Sequence, residues 1–275
     1  MGASPLRARV VTGLVLIPLA TALVLLLPTP ILGVLIGLVV VMGAWEWAAL
    51  VGVSRYRYVL LTVAGLMVAW LLLQSATSTV DLLVFAVVMW GVGLLVVWRY
   101  PQLPPWWRTR PVQAVAGLLV LVPAWAALVA LHGGRLLAEG ASGPHYTLFL
   151  LVLVWVADSA AFFVGRRWGS RRLAPRVSPA KTLEGLWGAL LATLVVALVG
   201  AWWLGRGQWL VFVVLCVVTL LSSVVGDLME SVLKRTQGAK DSGALLPGHG
   251  GVLDRIDSLT AASPVFVLGL VLCGH

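Results

Sequence analysis

Nine stretches of this chain are apolar enough, and nearly long enough, to cross a bilayer. They lie near 10–27, 31–51, 58–73, 82–98, 112–131, 146–164, 183–204, 208–228 and 259–273, the last of them short. A hydrocarbon core of about 30 Å takes about 20 helical residues at about 1.5 Å each. Inside that core each backbone N–H and C=O must be satisfied internally, and a helix does this within one segment. Composition agrees: 61% of the 275 residues are hydrophobic and 11% are charged, where a soluble domain carries about 25% charged residues. The expected fold is therefore all-α, a polytopic integral membrane helix bundle of about nine transmembrane helices. It is expected to form one transmembrane domain over 1–275, with amino-terminal spans in 1–145 and a carboxyl-terminal half in 146–275.

The basic residues orient these spans. Seventeen of the nineteen Lys and Arg fall in the amino-terminal tail and the loops 52–57, 99–111, 165–182 and 229–258. The alternate loops hold only Arg135 and Arg206. Positively charged loops stay in the cytoplasm, so the amino terminus and both long basic loops are expected there. The net charge of +9 thus reports topology and anionic ligands at a membrane surface, and no nucleic-acid partner is expected. A cleaved signal peptide is the competing reading of the first segment, which follows Arg7 and Arg9 and contains Ala20-Thr21-Ala22. The apolar run continues past that point, which favours a retained span. Trp98, Trp106, Trp107, Trp168, Trp202, Trp203 and Trp209 lie near span ends, as an interfacial aromatic belt would. Cys216 and Cys273 lie in apolar segments with no metal-binding spacing.

Against this background the run Gly226–Asp257, GDLMESVLKRTQGAKDSGALLPGHGGVLDRID, stands apart with five of the chain's ten acidic residues. On a helix Asp227, Glu230, Ser231 and Lys234 share one face. A second carboxylate pair, Asp254 and Asp257, follows a glycine-rich turn. Carboxylates beside lysine, arginine and glycine-rich backbone suit a Mg²⁺–polyphosphate complex. Three acids, Glu46, Asp158 and Asp227, lie within spans, where each costs roughly 2.5–3.5 kcal/mol at the bilayer centre. All three approach cytoplasmic ends and suggest one polar cavity opening to that side, although Glu46 between Trp45 and Trp47 reads equally well as an interfacial acid. The loop GRRWGSRRLAPRVSPAKTLEG, 165–185, offers backbone N–H groups with Lys181 and Thr182 before a helix, an anion-binding arrangement without Walker A spacing. Its cations also serve topology alone, and Glu184 suits a structural role at the helix start.

These segments resemble the signature of the phosphatidate cytidylyltransferases, also called CDP-diacylglycerol synthases. Ser231-x-x-Lys234-Arg235, Lys240-Asp241, Pro247-x-His249-Gly250-Gly251 and Asp254-Arg255-x-Asp257 stand at the family's spacing. Asp158, Gly165-Arg166, Pro175 and Ser178-Pro179-x-Lys181-Thr182-x-Glu184-Gly185 form a second matching block. The family's aromatic pair after the first Asp includes Tyr, and here it is Phe162-Phe163. In the amino-terminal half only Glu46-Trp47-Ala48 is similar.

The resemblance implies a multi-pass enzyme of the inner (plasma) membrane that joins CTP to phosphatidic acid on the cytoplasmic face. The products are CDP-diacylglycerol and pyrophosphate. It also implies Mg²⁺, with a second cation possible, and a homodimer. The roles expected on that basis place Asp227 and Asp254 as metal ligands, with Glu230 and Asp257 in support. Lys234, Arg235, Lys240 and Arg255 would meet phosphates, with Ser231 on the same helix face. Ser178, Lys181 and Thr182 would line the opposite wall. His249 suits a phosphate contact or a structural turn equally. A CTP-dependent lipid kinase, transferring the γ-phosphoryl group, is the nearer rival; a transporter is the remoter one, without the paired inverted halves of many transporters.

Overall fold

The computed structural model describes residues 17–204, 208–239, 241–243 and 250–274. Among them nine α-helices form the bundle: α1 (Ile17–Leu26), α2 (Thr29–Val51), α3 (Arg55–Leu72), α4 (Ala76–Arg99), α5 (Arg110–Gly133), α6 (Gly143–Trp168), α7 (Leu183–Trp203), α8 (Trp209–Thr236) and α9 (Leu253–Leu272). Eight of these, α2 to α9, are long and apolar enough to span a membrane, in keeping with the all-α polytopic expectation. The described part of the first expected span is α1, tied to α5 by His132 Nε2 at 2.9 Å from the Val24 carbonyl.

The differences lie at element ends. Helix α8 runs on to Thr236, past the apolar limit at 228, because Asp227, Glu230 and Lys234 continue its helical spacing on a polar face. Helix α9 begins at Leu253, so Asp254 and Asp257 occupy its first turns and not a leader before it. The basic 165–182 loop contains a short antiparallel hairpin, β1 (Arg172–Ala174) with β2 (Ser178–Thr182), which an all-helical reading did not anticipate. Trp107 is also a correction. It is buried in a core cluster with Trp90 and Val232, whereas Trp98, Trp106, Trp168, Trp202 and Trp209 are exposed as belt residues would be.

The central helices are α5 and α9. Helix α9 packs on α8, α5, α4 and α6, and α5 packs on α2 and α3. Lipid tails are as apolar as leucine, so such contacts depend on close fit and on pairing every buried polar group. Pro264 inside α9 illustrates the second requirement. It has no N–H to give the Thr260 carbonyl one turn earlier, and the Trp90 indole donates to that oxygen at 3.0 Å. Gly226 illustrates the first. A Cβ there would lie 2.5 Å from the Asp257 carbonyl oxygen, so glycine lets α8 and α9 touch where their acids sit.

Candidate active site

Five chain segments converge at one end of the bundle: the last third of α2, the carboxyl end of α6, β2, the end of α8 and the start of α9. The hairpin is held in place first. Thr182 Oγ1 caps α7 by accepting from Gly185 N at 3.1 Å. Glu184 accepts from Ser170 Oγ at 2.6 Å and from the Ser170 and Arg171 amides, folding the loop against the start of α7. Arg235 donates from Nε to the Val177 carbonyl at 3.2 Å and so ties the hairpin to the end of α8.

That anchoring brings Lys181 onto α8, where its Nζ pairs with Asp227 Oδ2. Both side chains keep about a quarter of their surface exposed, 25% and 29%. Asp158 of α6 lies near enough to this pair to act on it electrostatically. A second pair stands alongside. Lys234 Nζ lies 2.6 Å from Asp254 Oδ1 and 3.3 Å from Glu230 Oε1, with Lys234 only 13% exposed. Asp254 Oδ2 also accepts from Gly251 N at 2.9 Å and Ser242 N at 3.4 Å. Buried Asp257 lies near enough to both pairs to act electrostatically on Asp227, Lys181 and Glu230.

The structure therefore gathers Asp227, Glu230, Lys234, Asp254 and Asp257 as expected, and adds Asp158. It places Lys181 directly on Asp227, and not on a separate wall. Thr182 serves as a helix cap and Arg235 as a link to a backbone carbonyl. Ser231 is buried on α8, Ser178 opens β2, and Arg255 is exposed on the first turn of α9. Lys240 and His249 lie outside the described residues.

Five carboxyl groups here face two lysine ammonium groups, so the site has oxygen donors to spare. Glu230 is buried, its Oε1 paired with Lys234 and its Oε2 without a hydrogen-bond partner among the described residues, beside a cavity of about 10 Å³ that Asp257 also lines. This donor chemistry fits a hard divalent cation. Among the described residues no three acidic, His or Cys side chains close around one point. A Mg²⁺ ion needs only one or two carboxylates, with water and substrate phosphate oxygens completing its shell.

Paired acids and lysines thus gather at one end of a bundle of membrane-spanning helices, the fold of a polytopic membrane protein with a charged site at that end. The chain belongs to the cytidylyltransferase family, whose profile matches residues 7–273. It is 44% identical to a phosphatidate cytidylyltransferase of Pseudomonas aeruginosa, over 95% of each chain. It is 39% identical to a phosphatidate cytidylyltransferase of Haemophilus influenzae, over 95% of this chain and 97% of that one.

Proposed function

We propose that this protein is a phosphatidate cytidylyltransferase, transferring CMP from CTP to phosphatidate to give CDP-diacylglycerol and pyrophosphate. The observation that carries the reading is the pair of neighbouring acid–lysine couples, Lys181 with Asp227 and Lys234 with Asp254, at one end of a spanning bundle. Such a site meets a lipid headgroup and a water-soluble nucleotide at the same level. The names of the two relatives support the substrate pair.

In the proposed reaction an oxygen of the phosphatidate phosphate forms a bond to the α-phosphorus of CTP. The bond from that phosphorus to the bridging oxygen of the β-phosphate breaks, and pyrophosphate leaves. A phosphate monoester is already nucleophilic near neutral pH, so positioning and charge stabilisation carry the catalysis. Lys181 and Lys234 would hold the anionic phosphates, which would replace the carboxylates as their partners. Asp227 and Asp254, supported by Glu230 and Asp257, would hold Mg²⁺, which when bound neutralises charge on the leaving pyrophosphate. The magnesium requirement and a paired assembly rest on the family resemblance. The distribution of basic loops supports an inner-membrane protein with this end toward the cytoplasm.

The test is the identity of the leaving group. Purified protein given phosphatidate, CTP and Mg²⁺ is expected to release one pyrophosphate for each CDP-diacylglycerol formed. Release of CDP with a newly phosphorylated lipid would assign a kinase instead.

A further inference from the structure

Glu46 belongs to α2, in the half of the chain farthest from the signature segments, yet its carboxyl group is buried inside them, 2% exposed. Its Oε2 accepts from Leu253 N at 2.8 Å and from Ser242 Oγ at 3.3 Å. Leu253 is the first residue of α9, and α9 has no side-chain cap from its own preceding residue. The first amides of a helix have no partner within it, and a carboxylate is favoured at that end. Glu46 thus fills from another helix the place that a local N-cap side chain would fill.

Two further features show that the fit is built around this side chain. A Cβ at Gly243 would lie 2.5 Å from Glu46 Oε1, and one at Gly251 would lie 2.5 Å from Oε2. Both sides of the loop are therefore glycine where the carboxyl group passes between them. Ser242 meanwhile donates its hydroxyl to Glu46 and its amide to Asp254. The neighbouring Trp47 donates from Nε1 to the Gln113 carbonyl at 2.9 Å, fixing this turn of α2 to α5.

From this geometry we propose that Glu46 is a positioning residue of the active site: it caps α9 and clasps Ser242 and Gly243 against Gly251 and Leu253, so that Asp254 is presented to Lys234 and substrate. The proposal rests on the phosphatidate cytidylyltransferase reading for its kinetic consequence, while the clasp itself is tested without activity. Its effect runs through the amino end of α9.

The experiment compares Glu46→Ala, Glu46→Gln and Gly243→Ala in the full-length protein. Hydrogen exchange of the ligand-free protein reads the clasp, and steady-state kinetics read its consequence. Glu46→Ala is expected to speed exchange over 250–257 at least tenfold, with exchange in α6 and α7 unchanged. It should lower kcat at least tenfold while KM for phosphatidate stays within about twofold. Glu46→Gln keeps an acceptor oxygen for Leu253 N and should recover at least a third of wild-type kcat. Gly243→Ala should behave as Glu46→Ala does, because its methyl group displaces the carboxyl. Unchanged exchange at the start of α9 in Glu46→Ala would overturn the clasp. Faster exchange with wild-type kcat would overturn the positioning role. A wild-type protein without cytidylyl transfer would instead refute the reaction, and the exchange data would still decide the clasp.

Discussion

Asp227 and Asp254 occupy comparable positions beside a lysine but differ in what their loss leaves behind. Asn at either site removes the negative charge and keeps the size, and each variant is expected to lose nearly all CDP-diacylglycerol formation. Stability should separate them. The Lys181–Asp227 pair is partly exposed, and such pairs contribute about 0–1 kcal/mol, so Asp227→Asn should melt close to wild type. Lys234 is more enclosed, and Asp254→Asn leaves it with Glu230 at 3.3 Å as its remaining acidic partner. A cost of roughly 1–3 kcal/mol and a lower melting temperature follow. Thermal unfolding of the ligand-free variants in detergent checks the contrast, and equal melting points would contradict it. The helical spacing of Asp227, Glu230 and Lys234 was legible in sequence because it depends on one local period. The Lys181–Asp227 pair was not, because it depends on how a hairpin folds across to another helix. Glu46 was legible as an acid within a span, grouped with Asp158 and Asp227 around one polar cavity, but its capping of α9 was not, because its partner Leu253 lies 207 residues away.

At the scale of elements, the α8–α9 contact sets the spacing of the acids. Gly226→Ala would place a methyl group against the Asp257 carbonyl and the Ala261 methyl, 3.3 Å away. Both neighbours belong to helix α9, so relief requires moving that helix. Overpacking of this kind costs about 1–3 kcal/mol. The variant is expected to melt lower and to lose activity more than an alanine substitution at exposed Gly238, whose Cβ would meet nothing within 4 Å, although its φ of 68° adds some strain there. A Gly226→Ala protein as active and stable as wild type would show that the helices are not in contact here. The existence of the spans was readable because long apolar runs admit few other structures. Their ends were less so: α8 and α9 extend as amphipathic helices into segments whose polarity alone marks a loop. The β1–β2 hairpin was hidden among Arg and Pro residues that signal only a polar connection.

The whole molecule brings a carboxyl group from its amino-terminal half and the signature residues of its carboxyl-terminal half to one end. Its orientation is predicted by the seventeen-to-two division of basic residues. With Cys216 and Cys273 replaced, a single cysteine at exposed Thr77 should react with an impermeant reagent from outside intact cells. One at exposed Ala180 should react only after permeabilisation; reaction of both from one side would contradict the alternation. This end of the bundle is proposed to transfer CMP to phosphatidate at the cytoplasmic surface. The most direct measurement uses sealed membrane vesicles carrying the protein, cytoplasmic face outward, with phosphatidate, Mg²⁺ and CTP labelled at either the α- or the γ-phosphate. The α-label should enter a lipid product in proportion to phosphatidate, without detergent, while γ-label stays in water-soluble pyrophosphate. Lipid that acquires γ-label, or that acquires none from either nucleotide, would contradict the proposal.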